Sequence, residues 1–164
     1  MDRRLVLVAL VALHLVVAGT HGVTHSLVPV WLSPEASVLV LATTFLGPVV
    51  GVVLAWRSHP VGVPLLAVSM LGAFLTGGIL HFVVATPDHV HAIPAGPWRI
   101  PFQASAVAVA ATSALGTVAS TWAWHERRGT NGEDSTSGVE GTNSEDSTNG
   151  VSETGGADAA TERP

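Results

Sequence analysis

Apolar residues run almost unbroken through four stretches, at about residues 5–28, 36–56, 61–85 and 100–124, and the chain turns polar after 128. Wound as a helix, about 20 mostly apolar residues match the hydrocarbon thickness of a bilayer. The pattern therefore predicts four membrane-crossing helices. Polar or helix-breaking residues bound each one. Asp2-Arg3-Arg4 opens the first, Arg57-Ser58-His59-Pro60 ends the second, Pro87-Asp88 follows the third and His125-Glu126-Arg127-Arg128 closes the fourth. Histidine aside, the charged side chains between Leu5 and Trp124 are Glu35, Arg57, Asp88 and Arg99. Four charges cannot cover the surface of a water-soluble globule of that size. The expected fold is all-α: a polytopic four-transmembrane-helix bundle over residues 1–128, followed by a disordered acidic tail over 129–164.

Arg3, Arg4, Arg57, Arg127 and Arg128 flank one side of these spans and Arg99 alone flanks the other. By the positive-inside rule, this asymmetry puts both termini in the cytoplasm of a multi-pass cell-membrane protein. Trp31 and Trp98 fall at the outer boundary and Trp56, Trp122 and Trp124 at the inner one, as in an aromatic belt. A cleaved signal peptide is the rival for the first span, since Arg3-Arg4, an apolar run and the small pair Ala18-Gly19 fit that pattern. The apolar stretch continues to Val30, longer than a signal core needs, which favours a retained helix. Gly47-Pro48-Val49-Val50-Gly51 gives the second span a close-packing face and a proline kink near its middle. The fourth span is dense in Ala, Ser and Gly and should be the central packing helix.

Composition narrows the function. Only 12% of the 164 residues are charged, against about 25% in a typical soluble domain. There is no cysteine, which excludes disulfides, thiolate metal sites and thiol nucleophiles. All seven basic residues are Arg, and nine of the twelve acidic residues follow Trp124. This balance resembles that of proteins from salt-loving archaea, whose acidic surfaces stay hydrated in concentrated salt. The tail holds a twelve-residue repeat, Gly129–Glu140 and Gly141–Ser152, matching at nine positions, with only Val139 and Val151 as larger aliphatics. It has nothing to bury, and its acidic pairs lack the alternating ligands of a calcium loop. Without a basic patch, nucleic-acid binding is not expected; the lipid bilayer is the expected partner, with a protein partner or a second copy unspecified. No nucleophile–base pair or phosphate-binding motif occurs, and catalysis is not expected.

The eight histidines carry what chemistry there is. His14, His21 and His25 share one helix face, within about 40° at 100° per residue. At 1.5 Å per residue they lie about 14, 24 and 30 Å into the first span, and His81 lies about 30 Å into the third. His89 and His91 follow in the loop. Thus His21, His25, His81, His89 and His91 are candidate ligands at the outer mouth of the bundle. His21 and His25 at i, i+4 have the spacing of paired metal ligands. Asp88 is placed to act as a ligand or to orient one. The set suits Zn²⁺ or Cu²⁺, or haem with axial imidazoles from two helices and Gly19, Gly22, Gly77 and Gly78 giving room for the macrocycle. The alternative is a proton or ion pathway along the His14–His21–His25 stripe, in a transporter-like component. Boundary histidines also serve as plain interface residues, and a buried neutral His14 can be satisfied by a hydroxyl on a neighbouring helix. His59 and His125, at the opposite boundary, have no assigned role.

Overall fold

The computed structural model describes residues 2–28 and 30–137, with side chains through Arg127. Those residues are all-helical. Helix α1 is Arg3–Leu27; α2 is Pro34–Val40, continued by a π-helical stretch Leu41–Leu46 and by α3, Gly47–Trp56; α4 is Gly62–Gly78, extended by a second π stretch, Ile79–Val83; α5 is Arg99–Ser137. They form four rods long and apolar enough to cross a membrane: Arg3–Leu27, Pro34–Trp56, Gly62–Val83 and Arg99–Arg127. The second rod starts two residues earlier than the hydropathy suggested because Ser33 caps it: its hydroxyl accepts from Ala36 N–H, with Pro34 at the first helical position. The third ends two residues sooner, at Val83, because Val84 turns extended ahead of Thr86-Pro87. The fourth runs on into the first repeat of the predicted tail. A helix already nucleated by its apolar part adds further turns without a second nucleation cost. The rest of the predicted tail, from residue 138, lies outside the described residues.

Ahead of Pro48, where the sequence predicts a kink, lies the π stretch Leu41–Leu46. Proline has no N–H, so the carbonyl of Thr44, four residues back, loses its helical donor, and Gly47 N–H reaches back five residues to Ala42 O instead. Beyond it, Gly51 lets α3 lie against the α4 backbone: a Cβ there would come within 2.7 Å of Leu66 N. The rod closes at Arg57 with the left-handed Ser58 (φ 62°), where Ser58 N–H bonds Ala55 O and His59 N–H bonds Leu54 O.

Helix α5 is the most buried rod, 39% of its apolar window against 22–28% for the others. Its buried residues, Phe102, Ala106, Ser113, Gly116, Ser120 and Ala123, recur every three, four or seven positions. The seryl hydroxyls at 113 and 120 donate back to Val109 O and Gly116 O, which satisfies them without a partner helix. One core cluster joins Leu7, Val11, Ala55, Val63, Leu66, Met70 and Ala123, and a second joins Val28, Val30, Ile93 and Phe102. The arginines gather at the end nearer the first cluster. Arg3 pairs with Glu126 at 2.7 Å, while Arg4 donates to Trp56 O and Ser58 Oγ. His21, His25 and His81 lie toward the other end.

Candidate metal centre

Three helices supply the site. The α1 stripe faces inward: His14 is fully buried, His21 nearly so and His25 half-buried. Helix α5 runs antiparallel to α1 and answers it at the same spacing of seven. His14 Nδ1 lies 3.1 Å from Thr112 Oγ1, and His21 Nδ1 lies 2.9 Å from Ser105 Oγ. The second π stretch brings in His81, which is buried. After Val84 the chain folds back, with Val90 N–H bonded to His81 O at 2.9 Å and Gln103 Nε2 donating to Val90 O. That turn buries Asp88 beside the His81 ring.

The three imidazoles meet at one point. His21 Nε2 lies 3.1 Å from His81 Nε2 and 3.1 Å from His25 Nε2. Three nitrogens at 2.0–2.1 Å from one tetrahedral zinc stand about 3.3 Å apart; here two of the three pairs stand at 3.1 Å and all three atoms lie within 4.8 Å of one another. The opposite nitrogen of every ring faces oxygen. His81 Nδ1 is 2.9 Å from Asp88 O and 3.3 Å from Asp88 Oδ2, and His25 Nδ1 is 3.4 Å from Val30 O. Carbonyl oxygens only accept, so both rings carry their proton on Nδ1. The Ser105 hydroxyl donates to Phe102 O at 3.0 Å, leaving its lone pairs for His21 Nδ1–H. With the proton on Nδ1, each ring turns an Nε2 lone pair toward the same point. Three lone pairs in contact repel unless a cation lies among them.

Phe102, fully buried, closes one side of the triad, with ring centroids 5.1, 4.9 and 5.7 Å from His21, His25 and His81. Asp88 stands beside it: Oδ1 is 3.5 Å from His25 Nε2, and neither carboxylate oxygen has a partner in hydrogen-bond geometry. A buried carboxylate so weakly paired adds negative potential at the point where the imidazoles meet.

His21, His25 and His81 come together as sequence spacing and depth anticipated; His89 and His91 do not join them. They pair with each other in the loop, ring centroids 5.4 Å apart, with His89 half-buried and His91 exposed. Among the described residues, the group able to hold a metal is His21, His25 and His81. His14 stands two turns below on α1, against Thr112 and the backbone of Thr44, the residue whose carbonyl Pro48 frees; its Nε2 has no partner in hydrogen-bond geometry. Ser105 and Phe102 were not singled out by the sequence. The signal for Ser105 was present as a matching interval: His14 to His21 and Ser105 to Thr112 are both seven residues. Comparison with protein-family profiles, curated proteins and solved structures finds no match.

Proposed function

We propose that the chain is an integral membrane protein, both ends cytoplasmic, that binds one divalent transition-metal ion through His21, His25 and His81. Asp88 orients His81 and balances the ion's charge. One observation carries this: three Nε2 atoms converge while every Nδ1 faces an oxygen, the arrangement in which metal-bound histidines are held. Neutral imidazoles suit Zn²⁺ or Cu²⁺. They suit haem less, because axial imidazoles approach iron from opposite faces of a macrocycle and here a third nitrogen crowds the same point. Helix α1 supplies Leu7 and Val11 to the core as well as two ligands, which supports its retention as a membrane span. Arg3, Arg4, Arg57 and Arg127 at one end, against Arg99 at the other, support the orientation.

Elemental analysis and zinc or copper titration of detergent-purified, tag-free protein test the metal. One ion per chain is expected; no stoichiometric binding of either metal sinks the reading, and a Soret band would turn it to haem. For topology, reporter fusions after Thr130 and within the 88–97 loop should report opposite compartments. A second reading, a proton path along His14, His21 and His25, is favoured by the inward face they share. It predicts proton flux in vesicles that His14→Ala abolishes, while metal binding persists.

A further inference from the structure

The metal reading leaves one coordination position to explain, and the walls around the triad indicate what fills it. Phe102 shuts one side. On the other lies a cavity of about 330 Å³, into whose wall His21, His25, His81 and Asp88 are all set. The rest of its lining is largely apolar: Ala18, Gly22, Leu41, Phe45, Leu80 and Val109. Two glycines keep it open beside the ligands. A Cβ on Gly22 would meet nothing within 4 Å, and one on Gly77 would meet only His81 Cδ2 at 4.0 Å. The volume falls within the range of small-molecule sites.

Resting on the metal reading, we infer that the fourth coordination position opens into this cavity and takes a small aliphatic molecule with a single monoanionic oxygen head group, such as a straight-chain carboxylate. Charge selects the head. A divalent ion, three neutral imidazoles and one carboxylate leave a single positive charge, and a monoanionic donor neutralises a site largely withdrawn from water. Shape selects the tail. The ion sits in the cavity wall, so a coordinated head group points its chain along Leu41, Phe45 and Val109. Asp88 stands outside the group able to hold a metal: its backbone carbonyl takes His81 Nδ1–H at 2.9 Å and its Oδ2 lies 3.3 Å from the same nitrogen, which places it to orient His81. The centre is thus of the open kind, with protein ligands on three positions and a guest on the fourth.

The test uses the full chain in lipid nanodiscs, loaded with Co²⁺, whose visible bands report its coordination. Acetate, butyrate, hexanoate and octanoate are titrated, with free concentrations corrected against empty discs. The bands should shift with each, and affinity should rise about fourfold per added methylene. Gly22→Leu, which grows into open space, should keep Co²⁺ and the acetate response but lose the gain with chain length. Bands that ignore every carboxylate would mean Asp88 closes the fourth position, overturning this inference while leaving the metal reading intact. Equal affinity for acetate and octanoate would refute the cavity's part in it. Wild-type protein that binds no Co²⁺ would bring down both readings.

Discussion

Replacing His21 by alanine removes the imidazole that lies 3.1 Å from each of the other two, so what remains is a pair joined only across the gap it leaves. The expected loss follows from the share of one ligand. Structural zinc sites of four ligands bind with about 10–16 kcal/mol, or about 3 kcal/mol per ligand, which is roughly a hundredfold in affinity. The cost to the fold should be smaller: His21 makes two cross-helix polar contacts, to Ser105 Oγ and His81 Nε2, each worth about 1 kcal/mol as a hydrogen bond. Calorimetric zinc titration of tag-free protein at pH 7.5 should show wild-type binding and at least that hundredfold weakening in His21→Ala. His59→Ala, at the arginine end, and His91→Ala, in the loop pair, are the controls and should match wild type. Acidification should weaken wild-type binding, because a proton on Nε2 occupies the lone pair the ion needs. A variant that binds within threefold of wild type would show that the ion sits elsewhere.

Asp88→Asn keeps the shape but removes the charge. Zinc affinity should fall ten- to a hundredfold, while the metal-free protein melts no lower than wild type, since the carboxylate it loses is buried without a hydrogen-bond partner; unchanged affinity would free Asp88 of any part in the site. Gly51→Ala forces a methyl against Leu66 N, Cα and Cβ, all within 2.9 Å, and should destabilise the bundle by about 1–3 kcal/mol in thermal melts. Gly22→Ala, facing open space within α1, is its control and should melt no lower than wild type.

The rods and the heart of the site were legible in the sequence for different reasons. The rods follow from hydrocarbon thickness, which any apolar run of about 20 residues records. His21, His25 and His81 follow from helical arithmetic, because depth and azimuth are fixed once a span is fixed. The loop broke that arithmetic. Nothing in Pro87–Pro97 says that Val90 will bond His81 O and tuck Asp88 inward while His89 and His91 turn away. Ser105 read as one more small packing residue, because its role depends on which helix lies opposite, and that is tertiary information. The π stretches were half visible. Pro48 removes a donor and so announces a disturbance near Thr44, but Ile79–Val83 contains no proline and no residue that marks it.

That second π stretch gives the chain a freedom that an ordinary helix lacks. Its wider turn sets the residues after Gly78 in a different rotational phase from those before it. The stripe through Val63, Leu66 and Met70 that packs against the neighbouring rods is thereby uncoupled from the direction in which His81 projects. In a regular helix, aiming the imidazole elsewhere would drag the whole stripe round by the same angle. Here one surplus residue absorbs the rotation locally. The chemistry at this end of the rod can therefore be re-aimed by an insertion or deletion within residues 79–83, while the core beneath keeps its register.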